Sequence, residues 1–293
     1  MLSDREIIST LDMVRSEHLD VRTVTLGVSL FDCVSHDLDL FIGNMRAKLR
    51  KYASNLVSVC NEVGDKYGIP VVNKRISVSP IAVVGGPFGP DGMVRICQAL
   101  DEAAQEAGVD FLGGFSALVE KGFAHGDKAL IEAIPEALAT TERVCSSINI
   151  ASSRAGINMD AAALMGRQIL ETARATADRG GFGCTKLVVF CNIPQDVPFM
   201  AGAYLGVGEP DCVINVGVSG PGVVKKAIDR ALEKSRSQGC GLSLLKVSEV
   251  IKRTAYKVTR VGEIIGNEVA ERLGIPSAWR ICPSRRPPPL ATR

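Results

Sequence analysis

Apolar and polar positions along the chain fall into two alternating rhythms. Over residues 22–30 every second position is apolar (Val24, Leu26, Val28, Leu30), with Thr23, Thr25, Gly27 and Ser29 between them. A period of two marks a strand with one greasy face and one small, polar face. Residues 38–67 instead carry Phe41, Met45, Leu49, Leu56, Val59 and Val63 at helical spacing, with a stop expected at Gly68, ahead of Pro70. The two rhythms then continue to exchange. Strands are predicted at 71–79, 109–112 (closed by Gly113 and Gly114), 143–150, 187–190 and 212–218. Helices are predicted at 91–107, 128–137 (with Pro135 as a kink), 159–178 (capped by Asn158), 223–238 and 242–273. A capping box, Ser3-x-x-Glu6, opens a first helix over 4–17. Strands exchanging with helices of this length predict βαβ units and a largely parallel sheet, an α/β fold.

The second faces of these strands change the picture. A sheet covered by helices on both sides is apolar on both sides, yet here the second faces read Thr/Ser/Gly, then Asn73, Arg75, Ser77 and Ser79, then Cys145, Ser147 and Asn149. A barrel with a lined interior, or a sheet facing a ligand cavity, accounts for this better than a flat doubly wound sheet.

Composition narrows the classes. With 293 residues, 46% of them hydrophobic, the chain can bury a large core. Lys and Arg (34) nearly balance Asp and Glu (32), so no global field draws it to nucleic acid. Nine cysteines without a Cys-x-x-Cys pair, beside three histidines, argue against a zinc or iron–sulfur site and for reduced thiols. The start of the chain is charged from Asp4 and no apolar run reaches the roughly 20 residues that span a bilayer, so a cytoplasmic protein without a membrane segment is expected.

Candidate chemistry concentrates on the polar strand faces and on residues 186–224. Cys145, mid-strand beside Ser147 and Asn149, is the candidate nucleophile; a core role is the alternative for any free cysteine. Arg75 and Arg154 suit bidentate recognition of carboxylate or phosphate, or else structural ion pairs. Asn73, Asn192 and Asn215 stand on or at the ends of strands, where they serve ligands or the backbone. Glu209, in a Gly-x-Gly-Glu-Pro turn, is a candidate general base. The turn Ser219-Gly220-Pro221-Gly222 opens a helix and is either an anion site or a tight turn. It is no P-loop, because Gly-Lys-Ser/Thr does not follow, and Gly206-x-Gly208 fails the dinucleotide fingerprint at Asp211. No metal site is expected, and no cofactor can be named.

Several long blocks together, DVRTVTLGVSLFDC (20–33), VVNKRISVSP (71–80), VDFLGGFSALVEKG (109–122), RVCSSINIASSRAGINMDA (143–161) and GEPDCVINVGVSGPGVV (208–224), resemble an uncharacterised group called "PFL family protein". The resemblance covers most of residues 1–276. It implies a fold similar to pyruvate formate-lyase-type glycyl radical enzymes: an α/β barrel of parallel-strand half-barrels with outer helices, present here as an incomplete N-terminal portion. It implies no reaction and no established catalytic residue.

The chain departs from that group after Ile275-Pro276, where residues 277–293 turn basic and proline-rich. Read one base back, with free choice only of third bases, this stretch can encode Phe-Gly-Val-Ala-Asp-Leu-Ser-Leu-Ala-Pro-Thr-Pro-Ala, which resembles the group's continuation. A domain over 1–276 and a frameshift-derived tail over 277–293 are therefore expected. The functional expectation is an enzyme acting on a small anionic metabolite, the alternatives being a non-catalytic ligand-binding or sensory protein and a non-functional product. A small-molecule ligand is the expected partner, nucleic acid and membrane are not, and homo-oligomerisation is left open.

Overall fold

A computed structural model describes residues 20–194, 202–239, 241–275 and the backbone of 280–281. The helix expected over 4–17, part of the loop after Asn192, Cys240, Cys282 and nearly all of the expected tail lie outside the described residues. The chain divides into two compact units, a larger one of residues 25–58 and 74–214 and a smaller one of residues 1–24, 59–73 and 215–293.

In chain order the strands are β1 (Val21–Val28), β2 (Val71–Val78), β3 (Phe111–Leu118), β4 (Val144–Ser152), the two-residue β5 (Gly156–Ile157), β6 (Leu187–Cys191), β7 (Cys212–Val218) and β8 (Arg280–Ile281). The helices are α1 (Leu38–Ala53), α2 (Leu56–Tyr67), α3 (Ile81–Val84), α4 (Pro90–Ala107), α5 (His125–Thr140), α6 (Met159–Ala175), α7 (Pro221–Ser237) and α8 (Leu244–Leu273).

In the larger unit the strand order is β5-β4-β3-β2-β1-β7, with β6 also beside β4. The β2–β3, β3–β4 and β4–β6 pairs are parallel, setting Ser77 opposite Gly113, Ser116 opposite Ser147, and Ser147 opposite Val188. Beneath the helices, Leu26, Ile76, Phe115, Phe41, Met45, Leu49, Met93 and Ile96 are fully buried. Phe41 meets Phe88 with tilted rings 5.7 Å apart, a favoured aromatic geometry.

In the smaller unit the ends of β1, β2 and β7 continue the order β2-β1-β7-β8, and β8 runs parallel to β7. There α7 packs on α8, whose Val258, Val261, Ile265 and Val269 form the buried stripe of an amphipathic helix. On its outer side Glu268 accepts from Lys66 Nζ at 2.8 Å and Tyr67 Oη at 3.2 Å.

Strand directions follow from the ends. Val21 N–H donates to Pro70 O where β1 and β2 begin, and Leu30 N–H donates to Ser79 Oγ where both finish, so these two run together. Ser29 N–H donates to Asp211 O, joining the exit of β1 to the entrance of β7, and Ser219 N–H donates to Asp20 O at the opposite ends. β7 therefore runs against β1.

The periodicity located most elements and misjudged two. Residues 38–67 form two helices, not one, because Ser54 and Asn55 break the run: Ser58 Oγ donates to Asn55 O, the local competition that such side chains offer a helix. The third strand does not stop at its glycines but continues to Leu118, with a bulge between Leu112 and Phe115. Gly114 takes φ +116° at that bulge, a conformation residues with a Cβ rarely adopt. The stop at Gly68 (φ +63°) and the Asn158 cap, whose Oδ1 accepts from Ala161 N–H at 3.1 Å, are as expected.

Candidate functional site

The small, polar face of the larger unit's strands is occupied by the chain itself. Residues 202–206 cross it as a backbone strap. Ser77 Oγ donates to Ala203 O at 3.2 Å, Ser116 Oγ reaches Gly202 O at 3.4 Å and shares a 2.8 Å hydrogen bond with Ser147 Oγ, and Leu205 N–H donates to Val78 O at 2.9 Å. The hydroxyls answer carbonyls that burial would otherwise leave unpaired. Short side chains leave room for a backbone at this depth. A Cβ on Gly113 would collide with the Ala203 carbonyl oxygen, and one on Gly27 would lie 2.8 Å from Leu205 Cδ1. This face, expected to line a ligand cavity, is therefore largely packed against the strap.

The expected site residues scatter around this seat. Ser147 lies beneath the strap. Cys145 is 3% exposed, and burial pushes its thiol up to about 11 despite the nearby charges of Lys186 and Arg75. A buried, protonated thiol lacks the thiolate that nucleophilic chemistry uses. Arg75 stacks its guanidinium 5.2 Å from the centre of the Phe111 ring. Arg154 is exposed in the turn between β4 and β5. Asn192, at φ +58°, accepts through Oδ1 from Ser153 N–H (3.0 Å) and Oγ (3.2 Å), tying the end of β6 to that turn. Glu209 stands in a turn closed by its own N–H on Gly206 O.

The others belong to the smaller unit. Asn73 Nδ2 donates to Arg22 O at 2.9 Å, a backbone role. Asn215 is buried on β7, its Nδ2 without a hydrogen-bond partner. Ser219, Gly220 and Gly222 form the turn into α7, where Gly220 is the N-cap.

Asn149 leads to a group the sequence reading passed over. It is 6% exposed, and its Nδ2 donates to Glu120 Oε2 at 3.3 Å, just past the carboxyl end of β3. Tyr204, on the strap, has its phenol pushed up to about 12 by burial and by the charge of Glu120. The Asp127 carboxyl is also raised, chiefly by burial, with Glu120 adding repulsion and the Ala124 N–H working against the shift. Beside Glu120 opens a cavity of about 430 Å³, lined by residues 120–123 and by 157–160 at the start of α6. Placing the end of the third strand at residue 112 hid Glu120; with the true end at Leu118 it falls where ligands meet parallel sheets.

A second charged cluster lies where β1 ends and β7 begins. Lys48 of α1 is buried, and its Nζ donates to Asp32 Oδ1 at 2.7 Å and to Asp211 Oδ1 at 2.5 Å. Burial opposes the ammonium, but the two carboxylates together outweigh it and raise its pKa above the ordinary lysine value. Among the described residues no three His, Cys, Asp or Glu side chains converge as a metal site, and no helix is long and apolar enough to cross a membrane.

Parallel strands with crossover helices, and a ligand-sized cavity beside a carboxylate at their carboxyl ends, define an α/β protein with a candidate small-molecule site. Residues 12–280 match the family model described as "Uncharacterised ACR (DUF711)", and the chain belongs to that family. It is 82% identical over 277 residues to a "UPF0210 protein" of Desulfovibrio desulfuricans, a match covering 94% of this chain and 60% of the relative. It is 71% identical over 276 residues to the same-named protein of Oleidesulfovibrio alaskensis (94% and 59%) and 55% identical over 278 residues to that of Methanosarcina mazei (94% and 59%). The chain thus spans about three-fifths of the length of the curated relatives it matches. A family without an assigned function, as the sequence blocks implied, is what these matches show; they carry no likeness to pyruvate formate-lyase.

Proposed function

We propose that the chain carries the binding site of an enzyme acting on a small anionic metabolite, and that Glu120 is its proton-accepting group. One observation carries this reading. Glu120 borders the cavity at the carboxyl end of β3 while buried Asn149 holds its carboxylate from the strand behind it. A carboxylate fixed in this way is placed to take a proton from a bound ligand. Lys121 and the N-terminal end of α6 border the same cavity and suit an anionic group on that ligand, against the opposing charge of Asp160 in the same lining. Cys145, buried and protonated, does not line this cavity.

A metabolite screen by thermal shift tests it, since a ligand that binds the folded state raises the melting midpoint. The expected hit stabilises the chain and fails to stabilise Glu120→Gln; equal stabilisation of both proteins rejects the site. The burial of Cys145, the expected nucleophile, favours a second, non-catalytic reading as a ligand-binding protein. Incubating the hit with the chain and following it by mass spectrometry separates the two, because turnover consumes the ligand.

The same reading extends to the architecture. Five strands running together in the order β6-β4-β3-β2-β1, followed by β7 in the opposite direction, suit a parallel half-barrel and the opening of a second, as the pyruvate formate-lyase resemblance implies. A structure of a full-length relative with its sheet left open and flat would count against it.

A further inference from the structure

The cavity beside Glu120 does not end at its own rim. A second cavity, of about 440 Å³, opens between α5 and α6, and Phe123 lines both. On the α6 side the two share one helical face. Asp160 borders the first cavity, and Leu164, Gln168 and Glu171 border the second, at intervals of three or four residues. Side chains so spaced lie above one another, and the two cavities form a single track along α6. Its lining changes character at Phe123. The first cavity is polar, with Glu120, Lys121, Asn158 and Asp160. In the second, Ile131 is buried and Phe123 and Leu164 are half-buried, while the charged Lys128, Glu132 and Glu171 are exposed at its rim. Ile157 and Met159, 63% and 70% exposed, add an apolar lip to the first cavity. Apolar side chains gathered in water around a cavity mark a surface that a ligand covers.

Phe123 is fixed from both sides. Gly122, at φ +137°, turns the chain with its N–H on Val119 O at 3.3 Å, and Ala124 N–H donates to Asp127 Oδ2 at 2.8 Å. Asn158 Nδ2 donates to Val119 O at 2.7 Å, tying this loop to the start of α6. The wall shared by the two cavities is preformed, which spares a ligand the cost of ordering it. We infer that the ligand of the Glu120 cavity carries an apolar arm, and that this arm passes Phe123 into the groove between α5 and α6. The inference rests on the Glu120 reading for the anionic head and adds the substrate class, an anion joined to an unbranched hydrocarbon chain. Phe123 and Leu164 are then the residues that set how long a chain is accepted.

Isothermal titration of the chain with sodium butanoate, hexanoate, octanoate and decanoate, each below its micelle concentration, tests this. Affinity should rise about threefold for each methylene that enters the groove. Leu164→Asp and Phe123→Ala should each flatten that rise while leaving butanoate within about twofold of the wild type, and Leu164→Met should keep it. Both positions are half-buried, and an unchanged melting midpoint checks that each variant is folded. Equal affinity along the series overturns the inference and leaves the Glu120 site standing. A rise that Leu164→Asp and Phe123→Ala leave intact also overturns it, because the chains then bind elsewhere. A rise that these two variants abolish and Glu120→Gln leaves unchanged supports the groove and removes Glu120 from the site.

Discussion

Gly113 and Gly222 are the same residue type under opposite constraints. A methyl carbon on Gly113 would run into the carbonyl oxygen of Ala203, which is backbone and has nowhere to go, whereas one on Gly222 would meet nothing within 4 Å. Gly113→Ala should therefore destabilise the protein by about 2–4 kcal/mol by unseating the strap. Gly222→Ala, in the first turn of α7, should be neutral or stabilising by up to about 1 kcal/mol through the lost freedom of the unfolded chain. Urea denaturation of the two variants checks both values, and a wild-type midpoint for Gly113→Ala would show that the strap is not seated as described. The alternation of Cys145, Ser147 and Asn149 with apolar neighbours was legible in the sequence. What those side chains touch was not, because the strap reaches Cys145 and Ser147 from more than fifty residues away and Glu120 reaches Asn149 from 29.

Single elements are joined by charge as well as by packing. Lys48 ties α1 to the exit of β1 through Asp32 and to the entrance of β7 through Asp211. The Asp32 carboxyl lies below its ordinary value, because Lys48 outweighs the opposing effect of burial. Its folded pKa is lowered, so its contribution to stability is present above the ordinary carboxylate range and is lost as pH falls through the folded value. Lys48 has the opposite sign. Its folded pKa is raised, so its contribution is complete below the ordinary lysine value and is lost as pH rises through the folded one. Stability measured against pH should thus fall away at both flanks, and Lys48→Met should flatten both. A variant whose acid and alkaline limbs match the wild type would show that the cluster contributes nothing. No helical or strand periodicity announces this cluster, since its members lie 16 and 163 residues apart.

On the scale of the whole molecule, the thiols give a simple map of what is inside. Seven free cysteines fall within the described residues. Cys191 is exposed and Cys184 half-buried, while Cys33, Cys60, Cys97, Cys145 and Cys212 are buried. Burial also pushes the thiols of Cys97 and Cys212 up to about 12. A thiol reagent at neutral pH should therefore label Cys191 first, then Cys184, and the other five only on unfolding, as peptide mass spectrometry would record. Labelling of Cys145 as fast as Cys191 would contradict its burial. Hydrophobic period and turn residues by themselves determined the alternation of strands and helices, the parallel α/β class and most helix limits, because these depend on neighbours within a few residues. Tertiary structure alone decided that a strap fills the polar face, that β3 runs through its two glycines to bring Glu120 beside Asn149, and that Lys48 stands between two distant carboxylates. Each of these depends on backbones that meet only after the sheet has formed, and sequence period carries no information about such meetings.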